Sequence, residues 1–329
     1  MALDGKILAR AKLELDKKRR QRDERYESRL ELVYSKSPRI RELDALLRAT
    51  MSELVGAALG DDSAPQIEDI RSRNEELQQE RRSELEKAGF SEDYLDEGYM
   101  CSACKDTGYL RTKICDCLTA LYKEEQSASL SNLFRLGDET FDNFDLSYYD
   151  DTPSAVTGIS SRRSMEIVYE TCVEYARKFG SKSRNLLFIG NPGLGKTFLS
   201  ACIARIVADN GFSVVYDMAT SMFTIFEDAK FSRTDNLELV RDEIKRYMEC
   251  DLLIIDDLGT EMTTAFTISA LYEIINTRLV TARKTLVNSN LTIDELHHRY
   301  TEQIMSRLEW EYQVLKFYGD DIRKIKNAL

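Results

Sequence analysis

The sequence predicts an α/β chain: a parallel-sheet core in its C-terminal half, preceded by an α-helical N-terminal domain that carries a four-cysteine site. Three observations predict it. From about residue 156 onward, helical and strand patterns alternate. Several of the strands are unbroken apolar runs, as in a parallel sheet covered on both faces. Before residue 93, apolar residues recur only at helical spacing. Between these regions, four of the seven cysteines fall within "YMCSACKDTGYLRTKICDCL" (99–118).

With 329 residues the chain has room for two domains. Its 43% of hydrophobic residues suffice for a sizeable core, and 31% of charged residues leave a heavily charged surface. Four prolines and fifteen glycines suit a helix-rich protein with few flexible linkers. A net charge of −11 argues against coating duplex DNA with the whole surface, so any nucleic-acid contact must be local or formed by assembly. The opening "MALDGKILARAKLELDKKRR" has no apolar signal region, and no run approaches a membrane span. A cytoplasmic location is expected, and there clustered cysteines favour metal over disulfide.

The elements follow in order. Residues 4–34 form a charged helix whose middle, "DKKRRQRDER", lacks an apolar stripe. It is either a solvated helix laced with ion pairs or a basic arm that touches nucleic acid or an acidic partner. Over 38–59, Ile40, Leu43, Leu46, Leu47, Met51, Leu54, Val55, Ala58 and Leu59 define one face of a second helix. "GDDSAP" breaks it, and a third helix covers about 65–88, completing a small bundle. The apolar face is bundle core or, in part, a strip for a partner. The expected organisation is a helical partner-binding domain over 1–92, a zinc-binding segment over 93–130, a linker over 131–155 and the α/β domain over 156–329. In the last, helices are expected at 160–179, 196–209, 219–231, 235–248, 263–282 and 293–309. Strands are expected in "NLLFIG", "FSVVYDMA", "DLLIIDD", "KTLVNSN" and "YQVLKFYG".

"GNPGLGKT" (190–197) fits G-x-x-x-x-G-K-[ST], with an apolar strand before it and a helix after it. Its glycines let backbone N–H groups turn toward phosphate oxygens at a helix N-terminus. The binding loop comprises Gly190, Asn191, Pro192, Gly193, Leu194, Gly195, Lys196, Thr197 and Phe198. Lys196 would reach the β- and γ-phosphates of a nucleotide, and Thr197 would ligate Mg²⁺. "LLIIDDLG" (252–259) ends a buried strand in two carboxylates. Asp256 would hold Mg²⁺ and Asp257 would orient and polarise the attacking water. The next strand ends in Asn288 and Asn290.

This order of motifs resembles the AAA+ (P-loop NTPase) arrangement, in which Asn290 matches the sensor-1 position. Arg307, in "HHRYTEQIMSRLEW", stands where AAA+ proteins carry an arginine finger. Arg299, eight residues earlier on about the same helical face, competes for that role. A core without a C-terminal lid is expected, with Arg323 in "DDIRKIKNAL" as the sensor-2 candidate. "GNPGLGKT", "LLIIDDLG" followed by Glu261, "IINTR", "TLVNSNL" and the entry segment "ETFDNFDL" together resemble the bacterial DnaC/DnaI/IstB group. That resemblance covers about residues 100–325 and implies an ATPase that hydrolyses ATP to ADP and phosphate.

Within that group the helical head and cysteine cluster look like a replicative helicase loader. The implied partners are a hexameric DnaB-type helicase, single-stranded DNA and further copies of the chain in an ATP-dependent spiral. The segment 219–232, "ATSMFTIFEDAKFS", is the candidate DNA contact, through Lys230 and its aromatics. An IstB-like transposase helper is the alternative, and a nucleotide-binding switch without hydrolysis is a third reading.

The cysteines form a C-x-x-C pair, Cys101 and Cys104, and a tighter pair, Cys115 and Cys117. Four thiolates in two close pairs suit tetrahedral Zn²⁺, with "KDTGY" as the turn between them. A redox pair or free thiols are the alternatives, but a redox C-x-x-C opening a helix after a strand is missing. No basic helix follows, as a DNA-reading finger would need. A structural role in stiffening the junction between head and core is expected. Cys172, Cys202 and Cys250 are expected in the core.

Overall fold

The computed structural model describes every residue except 1–3, 60–63, 97, 135–138, 154–157, 232–236 and 329. It divides into two units, Lys12–Leu118 and Thr119–Leu329, with the start of the chain to Ala11 belonging to the second. No helix among the described residues is long and apolar enough to cross a membrane.

Helix α1 (Gly5–Lys36) is continuous. Ile7, Ala11 and Leu15 bury its start and Val33 its end, while its highly charged middle is mostly exposed. Helix α2 (Pro38–Leu59) opens on a proline, whose missing N–H costs nothing in the first turn. It packs along α3 (Ala64–Lys87), and Asn74 on α3 donates to the Thr50 hydroxyl at 2.7 Å. Arg39–Glu80 (2.8 Å) and Arg81–Asp44 (2.6 Å) flank the seam. Helix α1 joins this hairpin near its C-terminal end, where Tyr34 donates to Asp44 at 2.9 Å. Val33, Ile40, Leu85, Phe90 and Leu95 form the small core there. The expected bundle is therefore a hairpin plus one long helix. Leu46 and Met51, placed on the apolar face of α2, are exposed. The side chains of Val55, Ala58 and Leu59 lie outside the described residues. A short hairpin, β1 (Tyr109–Leu110) and β2 (Lys113–Ile114), leads into α4 (Asp116–Phe134).

The second unit is built on β3 (Asn185–Ile189), β4 (Val214–Met218), β5 (Leu252–Leu258), β6 (Lys284–Ser289) and β7 (Tyr312–Lys316). All are parallel, in the order β4-β5-β6-β3-β7. Alternate residues feed two cores. Leu186, Phe188, Leu252 and Ile254 face one side, packed with α5 (Ser161–Arg177) and α6 (Lys196–Asp209). Leu187, Ile189, Leu253 and Ile255 face the other, packed with α7 (Ala219–Phe231), α8 (Leu237–Glu249) and α9 (Ala265–Val280).

The single helix expected over 293–309 is two helices, α10 (Ile293–Arg299) and α11 (Glu302–Trp310). Tyr300 leaves the helix with φ −114° and ψ 162°, and Thr301 opens the next one. Tyr300 is buried, and its hydroxyl donates to Glu261. That long-range bond is invisible to helical periodicity. The last helix is α12 (Ile322–Ala328).

Part of the stretch expected as a linker packs on the sheet core. Phe141 and Tyr149 are buried in the core that also holds Leu186 and Leu199. Residues 135–138 and 154–155 of it lie outside the described residues.

Candidate functional site: a phosphate loop facing two carboxylates

Strand β3 delivers its chain end into the loop 190–195, and α6 starts at Lys196. Gly193 (φ 81°) and Gly195 (φ 87°) adopt left-handed conformations. A Cβ on Gly193 would lie 1.8 Å from the Asp321 carboxylate, so only glycine lets the two segments approach. The Ile322 N–H donates to the Gly193 carbonyl at 3.1 Å, which ties α12 to the loop. Tyr149 donates to the Leu194 carbonyl at 2.9 Å. The rings of Phe144 and Phe198 lie 5.6 Å apart beside it.

Lys196 is buried, and its ammonium donates to the carbonyls of Gly190 (2.6 Å) and Asn191 (2.8 Å). Burial pulls its pKa down to about 8, against the pull of Asp257 and Asp256. A buried cation with two carbonyl partners suits an arriving phosphate. Thr197 donates to Asp256 Oδ2 at 3.0 Å, so the two proposed magnesium ligands are adjacent.

Asp256 is the most heavily bonded carboxylate of the site. Tyr216, on β4, donates to Oδ2 at 2.7 Å. The Asn288 amide (2.9 Å) and the Asp257 N–H (2.9 Å) donate to Oδ1. Ser200, on α6, holds the Asn288 carbonyl oxygen at 3.0 Å. Strand order explains this: β6 lies between β3 and β5, so Asn288 bridges the phosphate-loop helix and the acid.

Asp257 follows at an irregularity, where the pairing of β5 with β6 shifts register after Ile255. It holds φ 53° and accepts from the Asn290 amide at 3.0 Å. Burial and the neighbouring Asp256 raise its pKa. Asp257, Asn290, Gly193–Phe198 and Arg323 line one cavity of about 420 Å³ with Phe144, Tyr148 and Ile322, a volume within the range of ligand pockets. Arg323 is exposed there.

Arg307 and Arg299 do not line this cavity. Arg307 stacks on the Tyr272 ring (4.6 Å) and donates to Asn276 Oδ1 (2.9 Å) and the Tyr272 hydroxyl (3.0 Å), both on α9. Arg299 bonds the Glu261 carbonyl. The expectation that they share one helical face fails, because α10 ends at Arg299. In α7, Phe223 and Phe226 are buried in the core, which removes them as stacking platforms for bases. Lys230 and Phe231 are exposed, and Ser232 lies outside the described residues.

Sequence reasoning missed Tyr216, Ser200 and Tyr149. Each acts across elements far apart in sequence, and no local pattern marks it. Asn288 carried a signal, being a polar residue inside an apolar strand.

In the N-terminal unit, the Sγ atoms of Cys101, Cys104, Cys115 and Cys117 all lie within 4.8 Å of one another. Cys101–Cys115 is 3.7 Å and Cys104–Cys117 is 3.4 Å. Zinc held by four sulfurs at about 2.3 Å would set them about 3.8 Å apart, so the cluster fits the ion. Against the upward pull of burial, the Gly108 N–H and the neighbouring sulfurs bring Cys104 down to about 6. Burial and the sulfurs of Cys104, Cys115 and Cys101 push Cys117 up. Four thiolates this close need a cation to coexist. Asp106, expected only as a turn former, is fully buried. It accepts from the N–H groups of Cys101 (2.7 Å) and Met100 (3.2 Å) and from Arg22. Cys172, Cys202 and Cys250 are buried, as expected.

Fold and site define the class: an AAA+ P-loop fold on a five-stranded parallel sheet. Within it, residues 173–328 match the family model of the IstB-like ATP binding proteins. The Escherichia coli K12 protein named replicative helicase loader DnaC is 25% identical over 41% of this chain and 54% of its own length. A Sinorhizobium fredii putative insertion sequence ATP-binding protein is 28% identical over 38% of this chain and 40% of its own length. A solved structure of DnaI aligns with 60% of this chain and 98% of its own, at 21% identity and a TM-score of 0.45. The chain thus spans about half the length of the curated relatives it matches.

Proposed function

We propose that the chain is an ATP-hydrolysing helicase loader, which binds a replicative hexameric helicase and delivers it to single-stranded DNA in the cytoplasm. The observation that carries this reading is the convergence of Lys196, Thr197, Asp256, Asp257 and Asn290 on one cavity or its wall, in a chain that also has a separate helical unit. Similarity to the DnaC loader supports the choice of client.

ATP with Mg²⁺ supplies the phosphoanhydride to be cleaved and neutralises its charge. The loop N–H groups and Lys196 orient the phosphates. Thr197 and Asp256 hold the metal, with Asp256 fixed by Tyr216 and Asn288. Asp257 accepts a hydrogen bond from the attacking water, and Asn290 holds Asp257 in place. Arg307 of a neighbouring copy completes the site by neutralising charge as the bond breaks. Arg323 adds a cation from its own chain. Four cysteines hold structural zinc in the head.

The test is co-purification of the full chain with its client, followed by helicase deposition on a single-stranded DNA circle. Capture and ATP-dependent deposition of a hexameric helicase support the loader. A second reading, a transposase helper, is favoured by the IstB-like match. Capture of a transposase without helicase would replace the first reading by the second.

A further inference from the structure

Glu261 was singled out by its place after the double-acid strand, yet the site described above makes no use of it. It is buried at 4% exposure. Its Oε2 accepts from the Gly259 N–H at 2.8 Å. Its Oε1 accepts from the Tyr300 hydroxyl and faces Arg299 Nε at 3.7 Å. Arg299 also donates to the Glu261 backbone carbonyl. A carboxylate is seldom buried unless it is paired and hydrogen-bonded, and this one is both.

The cluster spans two places that matter. On one side is the turn after Asp257, with left-handed backbone at Asp257 (φ 53°) and Gly259 (φ 103°). Thr260 closes this turn onto the Asp257 carbonyl through its N–H (3.2 Å) and hydroxyl (2.8 Å). Left-handed backbone at a non-glycine residue persists only where the surroundings over-determine it. On the other side is the break at Tyr300, from which α11 departs with Arg307. Glu261 itself does not line the nucleotide cavity.

We propose that Glu261 is a positioning residue. With Tyr300 and Arg299 it clamps the turn 257–261, so that Asp257 faces Asn290 and the cavity, and it fastens that turn to the root of α11. This rests on the ATPase reading above. It also assigns Arg299 to its own chain's clamp, so that Arg299 does not act on a neighbour's nucleotide.

The full-length variants Glu261→Ala, Glu261→Gln, Tyr300→Phe and Arg299→Ala test it by three measurements. These are ATP turnover, affinity for a fluorescent ATP analogue, and amide exchange at residues 258–260. Misplacing a reacting group by about 1 Å costs up to about 100-fold, so Glu261→Ala is expected to lower kcat by about tenfold or more. Nucleotide affinity is expected to stay within about threefold. Glu261→Gln keeps an acceptor for Gly259 and is expected to recover part of the loss. Exchange at Gly259 is expected to quicken in Glu261→Ala. Arg299→Ala mixed with Lys196→Ala is expected to recover no turnover, because its defect lies within its own site.

Wild-type kcat in folded Glu261→Ala overturns the proposal. If that variant does not fold, wild-type kcat in folded Glu261→Gln and Tyr300→Phe overturns it instead. Recovery of turnover in the Arg299→Ala mixture overturns the assignment of Arg299. A wild-type chain that turns over no ATP sinks the ATPase reading alone. The clamp is then decided by exchange at Gly259, and unchanged exchange overturns it.

Discussion

Lys196 carries the charge of the phosphate site, and its ammonium rests on two backbone carbonyls of its own loop. An incoming phosphate has only to displace those two bonds, and burial makes the gain large. Lys196→Ala is expected to lower ATP turnover by about 100-fold or more while the full chain still captures its client. Steady-state phosphate release and co-purification check this, and turnover at the wild-type rate would place the site elsewhere. Asn288 has a different task. It bridges Ser200 and Asp256 in the buried sheet, so Asn288→Ala takes one buried partner from each. The expected cost is about 1–3 kcal/mol, read from denaturant melts, together with reduced turnover.

At the scale of elements, two local structures stand on few side chains. The cysteine hairpin depends on Asp106, on the left-handed Gly108 and on four sulfurs gathered within 4.8 Å. A Cβ on Gly108 would come within 2.9 Å of Leu15. Elemental analysis is expected to find one zinc per chain. Chelation is expected to speed amide exchange over 99–118 and weaken client capture, with nucleotide affinity unchanged. Loss of nucleotide affinity first would give the cluster another role. The start of α1 depends on Asp4, which accepts from the N–H groups of Lys6 (2.8 Å) and Ile7 (3.2 Å) and pairs with Arg246 on α8. Asp4→Ala removes a helix cap and leaves a half-buried arginine with Glu243 alone. It is expected to cost about 1–2 kcal/mol and to raise exchange at residues 6–8.

At the scale of the whole molecule, the question is what one copy does for another. Arg307 is held on Tyr272 and Asn276, away from its own chain's cavity. If it serves a neighbour, two dead variants complement each other. Lys196→Ala contributes Arg307, and Arg307→Ala contributes an intact phosphate loop. Mixing them is expected to restore a measurable fraction of turnover where either alone has almost none. Turnover that stays at the level of the separate variants argues that Arg307 acts within its own chain or not at all.

Much of this was legible in the sequence. "GNPGLGKT" between an apolar strand and a helix set the phosphate loop, because the loop's conformation depends on glycines placed locally. The apolar runs 186–189 and 252–255 set buried parallel strands, and the C-x-x-C and C-x-C pairs set the cysteine cluster. Tertiary structure alone decided which residues fix those groups. Tyr216 on Asp256, Tyr149 on the phosphate loop, Asp106 under the cysteines and Glu261 between two turns each join segments that lie apart in the chain. It alone broke the 293–309 helix at Tyr300, separating Arg299 from Arg307. The physical reason is the same in each case. Periodicity reports which face of an element is buried, whereas a buried hydrogen bond depends on what another element brings to that face.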